Sequence, residues 1–70
     1  MSDFKNRLET EQVELQEKME KLSVFIGTKP FNALPPMQRE LLKVQVKSME
    51  TYNECLVSRL FWLNNAQASQ

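Results

Sequence analysis

Seven side chains with binding chemistry recur at steps of three and four residues in the first third of the chain, so on a helix they share one face. They are two aromatic rings, three bases and two acids: Phe4, Arg7, Glu11, Glu14, Lys18, Lys21 and Phe25. An aromatic ring stacks on a nucleobase, and charged donors make strong hydrogen bonds to phosphate oxygens. This face therefore fits a nucleotide-like anion, although intrahelical salt bridges between its acids and bases are the plainer interpretation.

One copy of this face cannot close around a small ligand. A helix rises about 1.5 Å per residue, which separates Arg7 from Lys18 by about 16 Å. A second antiparallel copy could bring Phe4 beside Lys21 and Arg7 beside Lys18. The same register places Glu11 opposite the Glu14 of the second copy, and the repulsion between these two acids argues against this arrangement.

A second basic group, Arg39, Lys43 and Lys47, follows a four-residue spacing. Residues 1–26 carry four bases and six acids and the remainder five bases and three acids, so the acidic first helix is expected to neutralise this group. The alternative is an anion site. Arg59 falls on an apolar row, where an arginine needs a glutamate from another subunit or a phosphate as its partner.

We find no arrangement of residues for catalysis or for a metal. The chain has no histidine and a single cysteine, Cys55, with no evident activating partner. A structural zinc site needs more Cys or His ligands than this chain has. We therefore expect no enzyme activity, no metal and no cofactor, and a packing role for Cys55.

The elements that position these residues are two helices, because Gly27, Pro30, Pro35 and Pro36 form the only cluster of helix-breaking residues. We predict an all-α fold: a helix from about residue 2 to 26, a connection at 27–35, a helix from about 36 to 63, and a polar tail at 64–70. Gly27 is expected to end the first helix in the left-handed conformation. Phe31 and Leu34 would plug the open end of the hairpin.

The second helix carries two apolar rows and an apolar end. The predicted coiled-coil seam is Leu42, Gln45, Met49, Tyr52, Leu56, Arg59 and Leu63. The neighbouring row, with a small centre, is Leu41, Val44, Ser48, Thr51, Cys55, Ser58 and Trp62. A two-helix hairpin cannot cover the apolar run at 60–63, so we expect an antiparallel hairpin that assembles into a helical homo-oligomer.

Charge and hydropathy exclude other classes. Nine bases balance nine acids, whereas a general nucleic-acid binder carries a basic excess. The sequence has no stretch of about 18 apolar residues, the length needed to cross a bilayer, and its N-terminal residues are not typical of a signal peptide. We therefore expect a cytoplasmic protein with no membrane or nucleic-acid-polymer partner.

The order of these residues resembles the phage anti-CBASS sponges, small helical-hairpin proteins that sequester cyclic oligonucleotides. The matching residues of the first helix are Phe4-Lys5-Asn6-Arg7-Leu8, Glu11, Leu15, Lys18, Lys21-Leu22 and Phe25-Ile26. Those of the rest are Phe31, Leu34-Pro35, Gln38, Leu41-Leu42, Gln45, Met49, Tyr52, Leu56 and Arg59. A similar hairpin domain occurs in Thoeris anti-defence proteins, which bind ADP-ribose-type signals.

The resemblance implies a homo-oligomer, typically a hexamer, in the cytoplasm of the infected bacterial host. It binds messengers such as 3′,3′-cyclic GMP-AMP or cyclic trinucleotides without cleaving them, so the CBASS effector is not activated. It implies Phe4 as the stacking aromatic and Lys18 or Lys21 as the phosphate-binding lysine. Asn6 and Arg59 are the nearest matches to a second site, for cyclic trinucleotides.

Three other functions remain open at this stage. The hairpin could be an adaptor that docks on a host or virion protein. It could bind ADP-ribose-type signals instead of cyclic oligonucleotides. It could also be a nucleic-acid-binding accessory protein that uses Arg39, Lys43 and Lys47.

Overall fold

The computed structural model describes residues 2–68, with the side chains of residues 3–65. Its three helices are α1 (Ser2–Ile26), α2 (Lys29–Asn32) and α3 (Pro36–Ala68), and the described residues contain no strand. The predicted all-α class is confirmed, and α1 packs against α3. Helix α3 continues through Ala68, where we expected a polar tail from residue 64. Within residues 2–68, no helix is long and apolar enough to span a bilayer.

The turn between the long helices is built on Thr28 and Phe31. The Thr28 hydroxyl donates to the Phe25 carbonyl at 2.6 Å and accepts from the Phe31 backbone N–H at 3.4 Å, which caps α2. Phe31 is buried and meets Phe25 edge to face at 6.0 Å, while Leu34 is half-buried. Phe31 therefore packs against the end of α1 at the turn, and Leu34 is partly shielded from water.

The left-handed conformation predicted for Gly27 is wrong, because no described glycine has a positive φ. The Gly27 N–H instead bonds to the Val24 carbonyl at 3.1 Å, a tight final turn of α1. A Cβ added at Gly27 would lie 3.6 Å from that carbonyl oxygen, an ordinary contact. The helix therefore ends here because of Thr28 and the proline that follows, and it does not need a left-handed residue.

The seam between α1 and α3 uses a different row of α3 from the predicted one. Gln45, Tyr52 and Arg59 are exposed. The buried and half-buried positions of α3 are Leu42, Val46, Met49, Asn53, Leu56, Leu60 and Leu63. They face Leu8, Gln12, Leu15, Met19, Leu22 and Ile26 of α1, which are also buried or half-buried. In place of the predicted Gln45, Tyr52 and Arg59, the seam uses the next residue along the chain, namely Val46, Asn53 and Leu60. Val46 and Leu60 are favoured because they remove more apolar area from water than Gln45 and Arg59 would.

A single chain has little core. Only Leu8, Phe31 and Leu56 are buried among the described hydrophobic side chains. The accessible surface is 5508 Å², against about 4,500 Å² for a compact protein of this mass. The radius of gyration is 16.0 Å, against about 11 Å for a compact chain of this length. The hairpin is a rod measuring 54 × 15 × 14 Å, with most side chains in contact with water.

Candidate functional site

The end of the hairpin opposite the turn forms a groove that we call the end groove. Because α1 and α3 run antiparallel, the first turn of α1 lies beside the last turns of α3. The cavity there has a volume of about 430 Å³, and an adjoining cavity of about 310 Å³ shares three of its residues. Together they are lined by Phe4, Arg7, Leu8, Glu11, Ser58, Arg59, Trp62 and Leu63.

The end groove combines an apolar floor with two arginines. Leu8 is buried at its base, and Phe4 is 48% exposed, so part of its side chain is accessible to a ligand. Arg7 and Arg59 are exposed, and neither forms a salt bridge with any other side chain between residues 3 and 65. Two guanidinium groups beside a partly exposed aromatic ring are the donors and the stacking surface that a nucleoside phosphate needs.

A second groove lies about halfway along the rod, and we call it the middle groove. Its volume is about 440 Å³, and it is lined by Lys18, Lys21, Leu22 and Phe25 of α1 and by Gln45 and Met49 of α3. Both lysines are exposed and form no salt bridge with the other described side chains. Within one chain the structure thus brings Phe4 together with Arg7 and Arg59, and keeps these residues apart from the two lysines.

The two residues predicted for a second site do not share a groove. Asn6 lines a shallow cavity of about 260 Å³ on the outer side of α1, with Arg7, Thr10, Glu11 and Glu14. Arg59 lies in the end groove. Arg7 and Glu11 line both the Asn6 cavity and the end groove.

The salt bridges of the described side chains lie within α3. Lys43 contacts Glu40 at 3.6 Å and Lys47 contacts Glu50 at 3.9 Å, and both pairs are solvent-exposed. The acidic first helix therefore does not neutralise Lys43 and Lys47 as predicted. The intrahelical salt bridges predicted as the plainer interpretation of the α1 face are likewise not formed between residues 3 and 65.

Arg39 differs from the two lysines with which we grouped it. Its side chain is half-buried, and its Nε atom is buried without a hydrogen-bond partner. Lys43 and Lys47 stay exposed and paired along the helix. The three bases therefore do not form one uniform basic surface.

Cys55 is exposed in the single chain, so the predicted packing role is not seen within one hairpin and stays a prediction for the oligomer. No group of three or more His, Cys, Asp or Glu side chains is close enough to hold a metal ion among the described residues. The sequence analysis also missed Trp62 as a wall of the end groove and Met49 as part of the middle groove. The signal for Trp62 was present, since it lies one helical turn after Ser58 and beside Arg59.

A family model, Sequestin, matches residues 2–61. These residues include α1, α2, α3 as far as Phe61, and both grooves except Trp62 and Leu63. The chain belongs to the Sequestin family. The family name describes a sequestering protein, which agrees in broad terms with the predicted sponge. No curated protein and no solved structure matches the chain in the other two comparisons. The binding roles of the Sequestin residues named above stay predictions.

Proposed function

We propose that this Sequestin is a phage immune-evasion sponge. It binds a nucleotide second messenger of bacterial immunity in the cytoplasm of the infected host and holds the messenger away from its effector. The first candidate ligands are cyclic di- and trinucleotides such as 3′,3′-cyclic GMP-AMP, whose capture would block CBASS effector activation. One observation carries the proposal: Phe4, Arg7 and Arg59 line one groove, and both guanidinium groups lack a salt-bridge partner.

The aromatic, apolar and basic side chains of the end groove match parts of such a ligand, and Glu11 is the one acid that lines it. Phe4 offers a partly exposed ring for stacking on a purine, and Leu8, Trp62 and Leu63 provide apolar walls. Arg7 and Arg59 supply planar forks of N–H donors for phosphate oxygens.

The middle groove offers a second set of similar groups. Lys18 and Lys21 are point charges for phosphate, and Gln45 adds amide groups that can hydrogen-bond to a base edge. Because these lysines lie apart from Phe4 within one chain, they bind the same ligand only if a second copy completes the site. A homo-oligomer, with a hexamer preferred on resemblance, is accordingly part of the proposal.

Sequestration requires binding without chemical change, and we propose that this protein is not an enzyme. Cleavage of a phosphodiester requires a positioned nucleophile or general base. The sponge needs only affinity, so the ligand should be recovered with unchanged mass after the protein is denatured.

ADP-ribose-type signals present the same chemistry, a purine next to phosphate groups. The end groove would recognise either class through stacking and arginine contacts. An experiment must therefore distinguish cyclic oligonucleotides from ADP-ribose-type signals as the ligand. It must also distinguish both from the adaptor function, in which no nucleotide binds.

Isothermal titration calorimetry against cyclic dinucleotides, cyclic trinucleotides and cyclic ADP-ribose species tests the proposal. We expect saturable binding of a member of this panel, loss of affinity in Arg59→Gln, and an intact ligand by mass spectrometry. Val13→Ala is a matched control, because Val13 is exposed on α1 and lines neither groove. Binding of cyclic ADP-ribose species alone would reassign the ligand to the second class. No binding by any panel member would overturn the sponge, and a product of altered mass would make the protein an enzyme.

A further inference from the structure

An uncharged stripe of exposed residues runs along α3 outside its seam with α1. Every member of this stripe, which we call the α3 stripe, is exposed: Met37, Leu41, Val44, Ser48, Thr51, Cys55, Ser58 and Trp62. The exposed fractions of its larger members are high, at 68% for Met37, 60% for Val44 and 68% for Trp62. At about 1.5 Å per residue the stripe is about 38 Å long.

The exposed area of this rod-shaped chain is large enough to include an interface of standard size. The chain exposes 5508 Å², about 1,000 Å² more than a compact protein of its mass. A stable interface of standard size removes about 800 Å² from each partner. The excess of about 1,000 Å² is thus similar to the area that each partner loses in one such interface.

We infer that the α3 stripe is the surface on which a second copy of this chain docks, with the two α3 helices antiparallel. The stripe is self-complementary in that direction. With Ser48 opposite the partner's Thr51, Val44 lies opposite the partner's Cys55. In the same register Leu41 lies opposite the partner's Ser58, and Met37 opposite the partner's Trp62. Leu41 and Val44 then meet the smaller Ser58 and Cys55 of the partner on each side of the centre, and Met37 meets Trp62 at the ends. Interdigitation of larger with smaller side chains allows the close-packed layers of an interface.

A parallel pairing lacks this complementarity. It would set each residue against its own copy, with Trp62 against Trp62 and Leu41 against Leu41. Four consecutive layers, at Ser48, Thr51, Cys55 and Ser58, would then pair a small side chain with its own copy and leave space unfilled. The antiparallel register has two such layers, and both pair Ser48 with Thr51.

Charge complementarity beside the stripe supports the same register. Lys47 and Glu54 both flank the stripe on the same side. In the antiparallel arrangement Lys47 of each chain lies close to the partner's Glu54, so the pair occurs twice per dimer. Lys47 is 81% exposed and holds Glu50 of its own chain only at 3.9 Å. Glu54 is exposed and forms no salt bridge with the other side chains of residues 3–65. Both groups are thus available to a partner.

The pairing also affects the end groove, although the inference does not depend on a ligand. Ser58 and Trp62 belong both to the α3 stripe and to the groove wall. A partner that packs its Met37 on Trp62 would fix one wall of the groove. The test below uses the protein without any nucleotide, so its outcome is independent of the proposed function.

Disulfide trapping tests the register. Val44→Cys should form an intermolecular disulfide with the partner's Cys55 under mild oxidation, seen as a reducible dimer on a gel. The two residues of one chain lie about 16 Å apart and cannot bond to each other, since a disulfide needs Cα atoms within about 7 Å. Val13→Cys is the matched control, a similarly exposed valine on α1 that should not form the dimer.

Charge reversal gives a second measurement on proteins that remain folded. Lys47→Glu and Glu54→Lys should each weaken self-association roughly tenfold in sedimentation equilibrium, and the double variant should restore it. Lys43→Glu, off the stripe, should leave self-association unchanged. A monomer at all concentrations, or a Val44→Cys yield no higher than that of Val13→Cys, would overturn the inference. A disulfide dimer of the unmodified chain would show a parallel pairing instead, because Cys55 would then meet its own copy.

Discussion

Gln12 and Asn53 form the one side-chain hydrogen bond that joins α1 to α3 among the side chains of residues 3–65. The Gln12 Nε2 donates to the Asn53 Oδ1 at 3.0 Å and also to the Gln16 Oε1 at 2.8 Å. The Gln12–Asn53 pair interrupts an otherwise apolar seam midway between Leu8 and Met19 on α1. A polar pair at such a position fixes the register of two packed helices at some cost in stability. This register sets Phe4 and Arg7 beside Arg59.

We predict that Asn53→Ala lowers the free energy of unfolding by about 1 kcal/mol or more, because the half-buried Gln12 amide loses its partner. Replacing both residues with leucine should recover this loss or exceed it, since an apolar seam is then continuous. Urea unfolding measures both effects. Gln16→Ala, on the exposed side of the same network, is the control and should change little. A double-leucine variant less stable than Asn53→Ala would contradict the interpretation.

Leu56 is fully buried where α3 meets α1. Leu56→Ala should cost about 2–5 kcal/mol, the usual range for a truncated core leucine. A chain with three buried hydrophobic side chains has little stability to lose, so we expect a large drop in melting temperature by circular dichroism. Val13→Ala, at a position 53% exposed on α1 and off the α3 stripe, is the control. Equal destabilisation by the two changes would show that Leu56 is not in the core.

Gly27 offers a stabilising change. Its φ is not positive, and an added Cβ would make only an ordinary contact with the Val24 carbonyl. Gly27→Ala should therefore raise stability by about 0.4–1 kcal/mol by restricting the unfolded chain. Thermal unfolding would measure it, and a lower melting temperature would contradict the tight-turn geometry described here.

The stacking role of Phe4 predicts a loss of affinity on truncation. Loss of a base-stacking ring costs about 1–3 kcal/mol, so Phe4→Ala should weaken ligand binding roughly 5- to 150-fold. Phe61→Ala is the matched control, since Phe61 is 56% exposed and lines neither groove. Calorimetry on both variants decides the point, with circular dichroism to show that the helices are intact. Equal affinities in the two variants would remove Phe4 from the site.

The two grooves predict different effects of charge. If the ligand lies in the end groove of one chain, Arg59→Gln should weaken binding about tenfold or more, whereas Lys21→Gln should have little effect. If a second copy completes the site, Lys18→Glu and Lys21→Glu should both weaken binding strongly, because repulsion is added to a lost contact. Titrations of these variants under identical salt distinguish the two arrangements. Unchanged affinity in all of them would place the ligand elsewhere.

The sequence by itself determined the helices and the turn. Breaks at residues 27–36 and the three-to-four-residue apolar spacing follow from local chemistry, so the all-α hairpin and the packing of Phe31 at the turn could be predicted. It also determined which face of α1 carries the aromatic and basic groups, because helical periodicity is a property of one segment.

Only the tertiary structure decided which row of α3 meets α1 and which residues share a groove. The predicted seam and the observed one differ by one residue at Val46, Asn53 and Leu60, and local spacing cannot distinguish them. The choice depends on the apolar area that both helices bury together and on the Gln12–Asn53 bond. For the same reason, the grouping of Phe4 with Arg59 emerged only from the hairpin, since 55 positions separate these residues along the chain and antiparallel packing brings them together.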